Sequence, residues 1–268
     1  MVKMTGGQAL AKSLYREGVR VIFGLPGVQL YHMMDGLYDE PGIRFITVRH
    51  EQATAYMADG YARASGEIGT AMMVPGPGLL NASAGVSTAY SASSPVLVVC
   101  GQIERDEIGG DRGMLHEVND QLDAIRPVTK WAHRIMDPAE VPEAVHQAFH
   151  HLKNGRPRPV EIEIPPETLA EVADVELLEP EAPQPKAASK EQIEAAARMF
   201  AKGPRGIAGT GTGPSMAPHS TLMEHLVACL NVVCGRFNRE GDRIINPGVL
   251  SPRQQYKAQV TPASVMQK

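Results

Sequence analysis

Between residues 6 and 165 the hydrophobic positions alternate between a helical and a strand-like period. GQALAKSLYREG (7–18) puts Ala9, Leu10 and Leu14 on one helical face and ends at Gly18, a helix stop. VRVIFGLPG (19–27) is a short β-branched run closed by Gly24, Pro26 and Gly27. YHMMDGLYDE (31–40) predicts a second helix and IRFITV (43–48) a second buried strand. EQATAYMADGYARASG (51–66) predicts a third helix ending at Gly66, and IGTAMMV (68–74) a strand closed by Pro75-Gly76-Pro77-Gly78. A helix rich in small residues follows (79–93), then the strand PVLVVCG (95–101). After a polar stretch (104–121) come the helix VPEAVHQAFHHLKNG (141–155) and the strand PVEIEIP (159–165).

Strands alternating with helices of this length specify a parallel sheet covered on both faces. The expected class is therefore α/β, a doubly wound parallel sheet with helices on both faces. Such sheets bind ligands at the carboxyl ends of their strands, where the turns at Gly24–Gly27, Pro75–Gly78 and Gly101 fall. At 174–190 the pattern stops, and three prolines mark a linker of extended character. The expected layout is a domain at 1–173, a linker at 174–190, and a small, incomplete α/β segment at 191–268 that opens with a helix at 190–202.

Composition narrows the function. A net charge of −4 gives no electrostatic reason to expect nucleic acid as a partner. No run has the roughly 18 apolar residues of a membrane span, and Thr5 to Gln8 interrupt any signal-peptide core. Three cysteines are too few and too odd for a disulfide framework, which favours the cytoplasm. Cys229 and Cys234, five apart on a helical pattern, read as small core residues rather than metal ligands.

Val48-Arg49-His50-Glu51-Gln52-Ala53 joins a strand to a helix. Alone, Glu51 reads as an acid favouring the helix dipole. Three further motifs change its weight: Phe23-Gly24-Leu25-Pro26-Gly27, Gly76-Pro77-Gly78-Leu79-Leu80-Asn81, and the strand 95–99 ending before Gly101. In order and spacing, residues 4 to about 170 resemble the pyrimidine domain of thiamine-diphosphate enzymes, the family of acetolactate synthase and of benzoylformate, oxalyl-CoA and indolepyruvate decarboxylases.

The resemblance implies thiamine diphosphate as cofactor and a 2-oxo acid as substrate, decarboxylated or carboligated. It makes Glu51 the catalytic carboxylate that shares a proton with the aminopyrimidine ring and so favours the tautomer able to take up the thiazolium proton. Pro26, Gly27, Gly76, Pro77, Gly78 and Asn81 become candidate cofactor contacts. For Gly76-Pro77-Gly78 a plain strand-to-helix turn fits the residues equally well, and Asn81 fits packing or capping. Val28 and Gln29 fall on the substrate-facing loop. Benzoylformate decarboxylase carries a serine at the place of Val28, so that specificity is not expected. His116 and Glu117 match the loop that reaches toward the family's active site, a solvated polar loop being their alternative.

The family holds the diphosphate through Mg²⁺ in a second domain marked by Gly-Asp-Gly and a later Asn. Here Gly241-Asp242 is followed by Arg243. The expectation is half of a split enzyme or a truncated product, inactive alone, with no metal site of its own, working as a homo-oligomer and with a separate diphosphate-domain subunit. The family's middle domain, which would hold a flavin, is not recognisable, so FAD is left open. Residues 204–268 instead resemble a fragment of molybdopterin oxidoreductases, and Gly209-x-Gly211-x-Gly213 lacks the dinucleotide spacing. A non-catalytic remnant or binding module, or a fusion fragment of a molybdopterin oxidoreductase, stands as the alternative.

Overall fold

The β-branched runs pair as six parallel strands. They are β2 (Val21–Gly24), β3 (Arg44–Thr47), β4 (Gly69–Met73), β5 (Val96–Gly101), β6 (Trp131–Arg134) and β7 (Val160–Ile164), in the spatial order β3-β2-β4-β5-β7-β6. The computed structural model describes residues 1–182, 187–203, 208–211 and 219–236, and the backbone of 243–246 and 254–257. Its residues divide into two compact units, Met1–Lys186 and Ala187–Lys268.

The sheet of the first unit is wound on both faces. One face buries the apolar stripes of α1 (Gly6–Arg16), α2 (Tyr31–Tyr38) and α6 (Val141–Lys153), including Leu10, Leu14, Met33, Val145 and Phe149, against Leu97, Val99, Val160 and Ile162. The other buries Ala55 and Ala58 of α3 (Glu51–Ser65), Leu79, Ala82 and Val86 of α4 (Pro77–Ala92), and Ile125 of α5 (Gln121–Ile125) against Val96, Val98 and Cys100. Each fully buried aliphatic side chain contributes about 1.5–3 kcal/mol. Helix ends follow local chemistry: Thr5 and Gln8 form a reciprocal capping box on α1, and Gly66 ends α3 in the left-handed region at φ 79°.

Three features depart from the sequence pattern. The run 43–48, expected as a buried strand, is the sheet edge, with Arg44 and Thr47 exposed and Phe45 and Ile46 half-buried. β6 lies within an unassigned stretch. β1 (Val2–Thr5) pairs antiparallel with β8 (Val172–Val175), a strand that follows α7 (Pro166–Ala170) and crosses the 173/174 boundary read from composition. Beyond it, Arg16 donates to Leu177 O at 3.1 Å, and Glu181 pairs with His150 at 3.1 Å.

In the second unit, Ser189 and Gln192 form a capping box on α8 (Lys190–Lys202). On α9 (Ser220–Val233), Asn231 exchanges two hydrogen bonds with the Ala208 backbone, 2.9 and 2.8 Å. β9 (Arg243–Asn246) and β10 (Gln254–Lys257) pair antiparallel. Cys229 is exposed and Cys234 half-buried at the end of α9, so neither is the core residue expected: α9 buries Asn231 and leaves most of its apolar side chains exposed. Gly213 and the stretches 237–242 and 247–253 lie outside the described residues. Among the described residues, no helix is long and apolar enough to cross a membrane.

β7 carries an unusual interior. Val160, Ile162 and Ile164 face one core, while Glu161 and Glu163 point to the other face and are fully buried. Neither carboxylate oxygen of Glu161 has a hydrogen-bond partner, and burial first, then the neighbouring Glu163, pushes its pKa well above the carboxylate range. The folded state thus holds a proton that the unfolded chain releases near ordinary carboxylate pH. A raised acid pKa gives stability that is full below the unfolded value and is lost as pH rises toward the folded one. The parent's urea midpoint should therefore fall as pH rises above the ordinary carboxylate range, and Glu161→Gln, which cannot ionise, should flatten that fall. Parallel pH profiles for the two proteins would contradict a neutral Glu161.

Candidate cofactor-binding site

Glu51 opens α3 directly after the carboxyl end of β3. His50, extended at φ −157° and ψ 138°, caps the helix by accepting the Gln52 N–H on Nδ1 at 3.1 Å. This aims the half-buried Glu51 side chain toward the start of α4. There Asn81 donates from Nδ2 to Glu51 Oε2 at 3.0 Å. Glu51 Oε1 accepts no hydrogen bond among the described residues. Asn81 is thus neither a cap nor core filler: it holds one carboxylate oxygen of Glu51.

Two glycine turns close around this pair. A Cβ on Gly27 would lie 2.3 Å from Val74 Cγ1, and one on Gly78 would lie 2.6 Å from Val74 Cγ2 and 3.7 Å from Glu51 Cγ. Val74 is buried between them. At both glycines the Val74 side chain takes the place of a Cβ, so the two turns present a cradle of bare backbone on either side of Val74, and the Gly78 turn does so next to Glu51. Pro26 and Pro77 are both exposed at the rim of this cradle, Pro77 at the first position of α4.

Gly76 has φ 54° and ψ −114°, a conformation that glycine alone adopts readily. A Cβ there would lie 2.1 Å from His116 O, so the loop holding His116 packs on the Gly76 turn. Gln29 locks that loop from the other side. Its Nε2 donates to Leu115 O at 3.1 Å, and its Oε1 faces His116 Nδ1 at 3.0 Å. With the amide so oriented, His116 must carry its proton on Nδ1.

Gln29, expected to contact substrate, is therefore buried and spends both ends of its amide on the loop. Val28 beside it is 53% exposed and is the apolar face of that loop. Glu117 accepts the Met114 N–H at 2.8 Å and the Arg112 N–H at 3.4 Å. The Met114 bond, then burial acting in the opposite sense, then its neighbours' amides leave its pKa below the ordinary value. Glu117 thus organises its own loop. Asp59 and Arg63 form an i,i+4 ion pair at 2.8 Å on α3.

Sequence reasoning missed a buried polar chain behind the Gly76 turn. Gln121 Oε1 accepts the Gly76 N–H at 2.8 Å, and its Nε2 donates to Gly101 O at 3.0 Å and to Glu163 Oε2 at 2.6 Å. Glu163 Oε1 accepts from Gln102 Nε2 at 3.1 Å and from Arg134 Nε. The one available signal was the pair of acids inside the strand run PVEIEIP.

This arrangement agrees with what the chain resembles in sequence. Residues 4–124 match the thiamine pyrophosphate enzyme N-terminal TPP binding domain. The first domain belongs to that family. Over 246 residues the chain is 39% identical to a probable acetolactate synthase large subunit of Methanocaldococcus jannaschii, covering 89% of this chain and 41% of that protein. It is 35% identical over 250 residues to a probable 2-ketoarginine decarboxylase of Pseudomonas aeruginosa, covering 91% and 44%. It is 32% identical over 242 residues to the acetolactate synthase isozyme 3 large subunit of Escherichia coli, covering 87% and 42%. The chain spans about two fifths of the length of these relatives. A continuous match over 89% of the chain includes α8 and α9 wherever it begins.

The geometry gives a direct test of the Gly76 turn. Gly76→Ala forces a side chain into a disfavoured backbone region and into His116 O. It should cost about 1–3 kcal/mol of unfolding free energy. Unfolding by urea at unchanged midpoint would show that the turn and the 113–117 loop are not packed as described.

Proposed function

We propose that the first domain holds the aminopyrimidine end of thiamine diphosphate in an acetolactate synthase-like enzyme acting on 2-oxo acids. The observation that carries this reading is the Glu51–Asn81 pair beside the Gly27 and Gly78 cradle. A flat ring needs close backbone on its faces and a fixed carboxylate at its edge, and the residues present fit both needs. When bound, the cofactor supplies the electron sink for cleavage next to the substrate carbonyl.

The protein's part is positional and electrostatic. Asn81 keeps Glu51 Oε2 in place, so Oε1 would be the atom to meet a ring nitrogen. Glu51 then shares a proton with that nitrogen, the work of a positioned general acid–base group. Gly76 and Gly78 bring backbone to the ring without a side chain between. Val28 offers the substrate an apolar contact, which suits a 2-oxo acid with a short aliphatic chain.

The diphosphate and Mg²⁺ belong, by the same family reading, to a second domain, and hard oxygen ligands are what Mg²⁺ requires. Tyr56, Met57 and Leu80 are exposed on α3 and α4, which supports a homo-oligomer joined through these helices. The identity that extends through α8 and α9 favours the start of the enzyme's middle domain over a molybdopterin oxidoreductase fragment for the second unit. Decarboxylation and carboligation both remain within the reading, since the relatives include a probable 2-ketoarginine decarboxylase.

The test is exchange of the cofactor's thiazolium proton, followed by acid quench and NMR, in the enzyme assembled with its diphosphate-holding domain. Glu51→Gln keeps shape and hydrogen bonding but cannot carry the charge, and should slow exchange by about 10²- to 10⁴-fold. Asn81→Leu should slow it less, by roughly tenfold, the cost of losing one hydrogen bond to a charged group. Exchange in Glu51→Gln as fast as in the parent would overturn the assignment.

A further inference from the structure

Gln121 makes more directed contacts than any other residue near the cradle, although its own side chain does not border it. It is 1% exposed and opens α5, after the loop that carries His116. Its amide orientation is fixed by its surroundings. Oε1 meets the Gly76 N–H, a donor, while Nε2 meets the Gly101 carbonyl and a Glu163 carboxylate oxygen, both acceptors. Cys100 Sγ lies 3.5 Å from Nε2. Glu163 is held in turn by Gln102 and by Arg134.

One side chain therefore ties the turn after β4 to the last residue of β5, and through Glu163 to β7 and β6. We propose that Gln121 is a positioning residue: it clamps the Gly76 amide so that the Gly76-Pro77-Gly78 backbone is preset for the flat ring. The clamp rests on the reading of this turn as the cofactor-facing one. Without it, the Gly76 N–H would be a buried donor lacking a partner, and the peptide could rotate about its unusual φ and ψ. With it, the peptide is fixed before any ligand arrives, so less ordering remains to be done on binding.

The charge pattern makes the amide essential. A carboxylate at 121 would repel Glu163 and the Gly101 carbonyl, and so could not keep its place at the Gly76 N–H. The titratable groups facing it are Glu163 and Glu161 from β7, Cys100 from β5 and Arg134 from β6, with His116 across the turn.

The experiment is native-state hydrogen exchange by ¹⁵N NMR on the full chain, reading the Gly76 amide against strand amides of β4 and β5. In Gln121→Met, which fills similar volume, Gly76 should exchange about tenfold faster, the worth of one buried hydrogen bond, while the strand amides keep their protection. Should that variant fail to fold, Gln121→Glu gives the second measurement. Corrected for intrinsic exchange, its Gly76 amide should be fast at neutral pH and slow again at acid pH, where the new carboxyl can donate to Glu163. Gly76 protection equal to the parent's in Gln121→Met, or no acid recovery in Gln121→Glu, would overturn the clamp. Titration with thiamine diphosphate and Mg²⁺ of the parent assembled with its diphosphate-holding domain separates this from the reading beneath it. Shifts at the Gly76 and Gly78 resonances, with about tenfold weaker binding in Gln121→Met, support a clamp that serves the cofactor. Parent resonances that ignore the cofactor would overturn the cofactor reading, and with it the functional half of the clamp, whatever the exchange rates show.

Discussion

Glycine backbone must pack directly on the Val74 side chain at the carboxyl edge of this sheet, and the rest of the site depends on that constraint. Val74 sits between Gly27 and Gly78 with no room for a Cβ on either side. The turns are further pinned by main-chain bonds, the Leu25 N–H to Met72 O at 3.1 Å and the Val48 N–H to Gly24 O at 3.0 Å. Because these turns cannot swing outward without losing that packing, the helices that follow them start at fixed points. Glu51 at the head of α3 and Asn81 near the head of α4 meet for that reason. The chemistry of the site is thus a consequence of where two strands end.

A second constraint lies beneath the first. Burying a carboxylate costs several kcal/mol unless its lone pairs are taken up by donors. Glu163 meets this requirement with Gln102, Gln121 and Arg134, whereas Glu161 has no donor and burial pushes its pKa up. The anion has thus recruited partners from β6, from α5 and from the residue after β5, and one of them reaches the Gly76 amide. A polar interior that a packed apolar strand could have replaced instead links the sheet to the turn above it.

Much of this was readable in the residues, and the exceptions have physical causes. The β-branched runs at 19–24, 68–74 and 95–101 are central strands, buried on both faces, and therefore continuous in hydrophobicity. The run at 43–48 has the same composition but forms the edge, which composition does not encode. Trp131–Arg134 carries a histidine and an arginine side by side and so hides a strand that borders the Glu163 network. Glu51 stood out in the sequence because a helix-start acid coincided with three other turns in order. Gln121 was not, since its role depends on Glu163 being buried, and an isolated glutamine in a polar stretch reads as solvated. Gln29 lies on the expected loop, but Leu115 O and the His116 ring take up its amide.

The account turns on Glu51 being the carboxylate that meets the cofactor's pyrimidine ring. ¹³C NMR of the side-chain carboxyls, with thiamine diphosphate and Mg²⁺ added stepwise, measures this at the atom concerned. A shift of the Glu51 carboxyl resonance that saturates with cofactor, while those of Glu117 and Glu163 stay in place, is the result expected here. A Glu51 resonance that stays still while another carboxyl moves would contradict it.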